Sequence, residues 1–171
     1  MPSSLLVSTM GAAFFFAGRI TFRHADLAPS KDEAKGQMKN QLEHFYKSLL
    51  LHGMEECDKP KSWLDAFFLL EKFLQKIDDG SRQLIFIDEL PWLDTPRSNF
   101  LQAFEGFWNT WACHRKNLML IVCGSANSWI LDKLINAHGG LYDRVTHAIK
   151  LARFTLSECE DFYKSNNVKL S

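Results

Sequence analysis

The chain has 171 residues, with 20 Lys plus Arg against 20 Asp plus Glu, so its formal charge at pH 7 is zero. That length suits one domain with a substantial core. A neutral chain with no run of five basic residues lacks the broad field that draws in nucleic acid or anionic lipid, so neither direct nucleic-acid binding nor membrane attachment is expected. Cys57, Cys113, Cys123 and Cys159 are far apart and form no C-x-x-C pair. They read as reduced thiols of a cytoplasmic protein, not as zinc ligands.

The run from Leu5 to Gly18 is apolar and rich in small residues. A signal peptide needs a basic segment ahead of its apolar core, and no Lys or Arg precedes Arg19. The run is also shorter than a membrane span. Residues 1–18 are therefore expected as a buried helix or the remnant of one, ahead of a domain over 19–171. Alternation from Ile20 to His24 predicts a strand. Met38, Leu42, Phe45, Tyr46, Leu49 and Leu50 recur at helical spacing between about Asp32 and Leu51. After a Pro-containing break at Asp58–Lys61, Ser62 caps a second helix. Asp65 stands in capping-box position, and Leu64, Phe67, Phe68, Leu70, Leu74 and Ile77 follow.

Asp78-Asp79-Gly80 marks a turn, and Leu84-Ile85-Phe86-Ile87 then runs directly into Asp88-Glu89. A short apolar run between turn signals reads as a strand buried on both faces of a parallel sheet. Ligands of such sheets gather at the carboxyl ends of the strands, where the two carboxylates lie. This is the pattern of a Walker B strand, whose aspartate holds Mg²⁺ and whose glutamate polarises the attacking water. An ordinary strand end, with Asp88 capping the next helix, fits the same residues. The cradle such a site requires, G-x-x-x-x-G-K-[ST], is absent, because no Gly-Lys-Ser or Gly-Lys-Thr occurs in the chain. Gly11 and Gly18 instead flank Ala-Ala-Phe-Phe-Phe-Ala, which is bulky where a phosphate needs room.

Thr95-Pro96 predicts a helix start, with a hydroxyl cap and Pro at the first position. Phe100, Leu101, Phe104, Phe107, Trp108 and Trp111 form a stripe on that helix that is read as core. Leu118 to Cys123 is a second buried strand, and a short helix carries Trp129, Ile130, Leu134 and Ile135. Val145 to Leu151 alternates as a strand, and Thr155-Leu156-Ser157-Glu158 opens a last helix with a capping box. The order predicts an α/β domain with a mostly parallel sheet flanked by helices.

From about Ile20 to Ser171 the sequence resembles bacterial and archaeal AAA-like P-loop ATPases. The residues that carry the resemblance are Leu84 to Trp92, Asp94 to Ser98, Phe107-Trp108-Asn109, Ile121 to Ala126, Gly139 to Thr146 and Phe154 to Glu158. The resemblance implies a truncated P-loop NTPase core, with ATP and Mg²⁺ as cofactors and ATP hydrolysis as the activity. In that family a P-loop precedes the segment matching Ile20 to His24, and a helical lid and further domains follow the last helix. The chain is accordingly expected to be the middle of a larger protein. A gene fragment, a frameshifted start or a degenerate paralogue would each look like this, and each would impair ATP turnover.

The roles carry over residue by residue. Asp88 matches the metal ligand and Glu89 the general base. Ser125 matches the polar sensor beside the γ-phosphate, with a helix cap as an equal reading, and Asn127 is the second choice for sensor. Arg144 resembles an arginine that neutralises transferring charge across a subunit interface, with a surface ion pair as the alternative. The partners implied are a nucleotide, once a P-loop is present, and a second copy or another protein. The competing function is a non-catalytic remnant that keeps its sheet for protein–protein contact.

Overall fold

The computed structural model describes residues 4–9, 20–26, 37–124, 127–135, 141, 144–150 and 154–166. In chain order the elements are β1 (Ser4–Thr9), β2 (Phe22–Ala25), α1 (Gln37–Leu51), α2 (Trp63–Lys76), β3 (Gln83–Asp88), α3 (Leu90–Leu93), α4 (Phe100–Thr110), β4 (Leu118–Cys123), α5 (Asn127–Ile130), β5 (Val145–Lys150) and α6 (Leu156–Ser165). A π turn over Leu131–Ile135 continues α5. The five strands form one sheet in the order β2-β3-β4-β1-β5, and each neighbouring pair is parallel. This is the α/β architecture expected from the alternation of strands and helices.

β3 is apolar on both sides because both of its faces are covered. Leu84, Ile85, Phe86 and Ile87 are all buried. Successive side chains point to opposite faces. Ile85 and Ile87 enter the main core with Leu120 and Val122 of β4, and Leu84 and Phe86 join a smaller cluster with Ile121 and Cys123. The main core lies under α1, α2 and α4 and is dominated by aromatic rings. Phe67 stacks on Phe107 at 5.2 Å between centroids, and Trp63 meets Phe100 edge-on at 5.0 Å. The stripe on α4 is therefore core, as its spacing predicts. On α2 the buried residues are Trp63, Ala66, Phe67, Leu70, Phe73 and Leu74, whereas Leu64, Phe68 and Ile77 are exposed.

Two expectations are corrected. The N-terminal run is not a helix over Ser4–Thr9. That segment is β1, hydrogen-bonded between β4 and β5 within the same sheet as the rest of the domain. Pairing on both sides supplies the partners that a helix would otherwise provide for its backbone groups. Residues 10–19 lie outside the described residues. The second correction concerns α4, which begins at Phe100 and not at Thr95-Pro96. Arg97 and Asn99 have φ of 65° and 53°, in the left-handed region that a right-handed helix cannot contain. The Thr95 carbonyl accepts from the Ser98 N–H in a turn, and Ser98 Oγ accepts from the Phe100 N–H at 3.2 Å.

Candidate functional site

All pairings are parallel, so the carboxyl ends of the strands share one edge of the sheet. Asp88 ends β3 at that edge, half-buried. Its Oδ1 accepts from the Cys123 thiol at the end of β4 and from the Glu89 backbone N–H at 3.0 Å. Burial, and then the hydrogen bond to Asp88, push the Cys123 thiol well above its ordinary pKa, so it stays a neutral donor. Glu89 turns the chain out of the sheet in the left-handed conformation, at φ 51° and ψ 41°. A non-glycine residue in this region is uncommon, and such residues concentrate at functional sites.

The loop after the two carboxylates is held against β4. A Cβ on Gly124 would lie 2.5 Å from Cδ of Pro91, so only glycine at 124 lets the proline ring approach this closely. Gln41 of α1 ties the same loop to β2. Its Nε2 donates to the Trp92 carbonyl at 2.7 Å and to Asp26 Oδ2 at 2.9 Å. Asp26 follows β2, and its N–H donates to the Asp88 carbonyl at 3.4 Å.

The expected site residues separate. Asp88 and Glu89 come together at the carboxyl edge. Asn127 is the first residue of α5, which follows β4 from that same edge. Ser125 lies outside the described residues. Arg144 is exposed and directly precedes β5, whose first residue pairs with Leu5 near the start of β1. It therefore sits at the amino edge, the length of a six-residue strand away from Asp88, or about 20 Å. Arg144 and Asp88 of one chain thus lie at opposite edges of the sheet.

The sequence reading missed two features at this edge. One is β1, whose end at Thr9 lies beside the end of β4, since Ser8 pairs with Cys123. The other is a buried cluster of His24, Asp26 and His44. His24 and Asp26 stand two apart at the end of β2 and so project to the same face, which is a legible signal. His44 joins them only through the packing of α1 on β2. Burial and the nearby His44 hold the His24 pKa down to about 3, so its ring is neutral.

The arrangement is that of a known class of fold. The chain is similar to a Walker-type ATPase of Pyrococcus abyssi at 17% identity and a TM-score of 0.56, and the match covers 99% of this chain and 55% of that one. The chain thus shares the fold of that Walker-type ATPase and spans about half its length. A looser likeness joins it to Drosophila ORC in a DNA-bound structure, at 12% identity and a TM-score of 0.44, over 92% of this chain and 86% of that one. No protein-family model matches the sequence, and no curated protein matches it. Among the described residues no helix is long and apolar enough to cross a membrane.

The residues present fit Mg²⁺ in one respect. Asp88 offers a hard, half-buried carboxylate at the carboxyl edge of the sheet, and Mg²⁺ is commonly held by one or two carboxylates while keeping several waters.

Proposed function

We propose that this chain is an ATPase-type domain of the AAA-like class that keeps the metal-binding and water-positioning carboxylates and has lost most of its grip on phosphate. The observation that carries this reading is the placement of Asp88 and Glu89 at the carboxyl edge of an all-parallel sheet, one strand away from β4 and two from β1. Asp88 would hold Mg²⁺, which supplies charge neutralisation on the phosphates when bound. Glu89 would hold the attacking water and take its proton. Asn127 and Ser125 are the candidates for a polar group beside the terminal phosphate. Arg144, at the far edge, would reach a nucleotide only on a neighbouring copy, so its role depends on assembly. Four free cysteines support a reducing compartment, the cytoplasm.

Because Gly11 to Arg19 contains no G-x-x-x-x-G-K-[ST], the chain itself should bind MgATP no better than about millimolar, a loss of several kcal/mol against an intact loop. Isothermal titration of the full chain tests this, and a micromolar dissociation constant would sink it. Grafting G-x-x-x-x-G-K-[ST] over residues 11–19 should restore binding. In that background Glu89→Gln should keep ATP binding and cut hydrolysis by roughly a hundredfold. Asp88→Asn should also weaken Mg²⁺-dependent binding. Equal hydrolysis with Gln at position 89 would reduce Glu89 to a strand-end carboxylate.

A second reading, a module for protein contact, is favoured by the exposed Phe154, Leu156 and Phe162 around α6. It predicts that the chain associates with a protein whether or not ATP is present.

A further inference from the structure

His24, Asp26 and His44 converge three ligand atoms that the rest of the fold does not use together. Oδ1 of Asp26 lies 3.9 Å from Nε2 of His24 and 3.8 Å from Nδ1 of His44, and the three atoms all fall within 4.8 Å of one another. The side chains of His24 and Asp26 are fully buried, whereas that of His44 is one-third exposed. Neither His24 Nε2 nor His44 Nδ1 has a hydrogen-bond partner, although both atoms are buried. Buried polar atoms are normally paired, so two such atoms facing one carboxylate oxygen call for an explanation.

The surrounding hydrogen bonds admit an arrangement of lone pairs that suits a cation. Ser48 Oγ donates to the His44 carbonyl at 3.1 Å, which uses the only proton of that hydroxyl. Ser48 Oγ is also 2.9 Å from Nδ1 of His24, and with the hydroxyl proton on the His44 carbonyl it is Nδ1–H that donates to it. Nε2 of His24 then aims a lone pair at Asp26 Oδ1, which has only lone pairs to offer in return. A cation between them resolves the conflict. The other carboxylate oxygen of Asp26 accepts from Gln41 Nε2. A histidine whose second ring nitrogen donates outward, beside a carboxylate whose other oxygen is hydrogen-bonded, has the outer support of a metal ligand set.

We propose that His24, Asp26 and His44 bind a divalent transition metal of the zinc class, through Nε2 of His24, Oδ1 of Asp26 and Nδ1 of His44. Two imidazoles and one carboxylate, with a fourth position left open, are a donor set that Zn²⁺ accepts. Metal bonds of about 2.0–2.1 Å in a tetrahedral array place ligand atoms roughly 3.4 Å apart, so the two separations from Asp26 Oδ1 close by about half an ångström on binding. The exposed side of His44 is the way in. A metal here clamps α1 onto β2, and Gln41 carries that clamp to the Trp92 carbonyl, just past Glu89. The site is separate from the Mg²⁺ reading of Asp88 and stands or falls without it.

The test uses the full chain, stripped of metal by chelator and titrated with cobalt(II) and then zinc(II). One equivalent of cobalt(II) should produce the visible absorption of a four- or five-coordinate ion, and zinc(II) should displace it. His44→Ala, at the one-third-exposed position, should abolish the spectrum while the circular dichroism stays native. His44→Cys should keep binding and add a thiolate charge-transfer band in the near ultraviolet, which a merely structural histidine would never produce. Ser48→Ala should weaken binding by roughly tenfold, through loss of the outer hydrogen bond. His114→Ala, outside the cluster, should leave the titration unchanged. Failure of the native chain to take up one equivalent of either ion overturns the proposal, and so does His44→Ala binding as tightly as the native chain.

Discussion

Helices α2 and α6 open on the same device and end in opposite surroundings. In α2, Ser62 Oγ accepts from the Asp65 N–H and the Asp65 carboxylate accepts from the Ser62 N–H. In α6, Thr155 and Glu158 exchange the same two hydrogen bonds. Yet α2 buries six side chains and α6 buries none. Leu156 is 91% exposed, and β5, which precedes α6, is exposed from Thr146 to Ile149. A capping box therefore sets where a helix starts and says nothing of what the helix rests on. Most helical stability in a protein comes from packing an apolar face, and α2 has that packing where α6 does not.

The largest expected effect tests that contrast directly. Phe67 is in contact with Phe45, Trp63, Phe100, Phe104 and Phe107. Phe67→Ala leaves a cavity in the middle of these rings and should cost about 3–5 kcal/mol in urea denaturation. Phe162→Ala on α6 should stay within about 0.5 kcal/mol of the native chain. Comparable losses from the two substitutions would break the comparison, because they would require α6 to be packed as α2 is.

The capping box of α2 gives a smaller effect with a pH signature. Ser62→Ala should cost about 1 kcal/mol at neutral pH. The hydrogen bond from the Ser62 side, and then the Lys61 backbone N–H, hold the Asp65 carboxyl below its ordinary value of 3.8. A carboxyl whose pKa is lowered by folding contributes stability above its unfolded value and loses it as the pH falls through its folded one. The gap between native and Ser62→Ala chains should therefore shrink below about pH 4. A gap that stays constant down to pH 2 would show that the carboxylate adds nothing to the cap.

The same contrast explains what was legible in the sequence. Both capping boxes, the strand at Leu84–Ile87 and the aromatic stripe on α4 are local patterns, and each is found where its spacing puts it. β1 was not legible because only Ser8-Thr9 separates its three apolar residues from the apolar, small-residue stretch that continues to Gly18, which hides the strand's end. Only its pairing between β4 and β5 identifies it. Thr95-Pro96 carries a helix-start signal that the left-handed conformations at Arg97 and Asn99 override. At the site, Asp88 and Glu89 stood out because both residues follow one strand. The cluster of His24, Asp26 and His44 did not, because α1 brings His44 from 18 positions beyond Asp26. For Arg144 the sequence leaves a role across a subunit interface and a surface ion pair open, without placing it relative to Asp88. The parallel sheet sends it to the other edge.

The smallest expected effect is the sharpest test of how α6 is held. Thr155→Ala removes the same kind of cap as Ser62→Ala, and the helix it opens rests on no buried side chain. Loss of the cap should fray α6 locally and leave global unfolding within about 0.5 kcal/mol of native. Amide exchange separates the two levels. The N–H of Glu158, which donates to Thr155 Oγ1, should exchange faster in the variant, whereas amides of β3 and β4 should exchange at native rates. The corresponding change in α2 should speed exchange across the core, because α2 cannot loosen without uncovering Phe67 and Leu70. If Thr155→Ala instead lowers global stability by as much as Ser62→Ala, then α6 is coupled to the sheet in solution. Its exposed Leu156 and Phe162 would then have to be covered by packing against the domain itself.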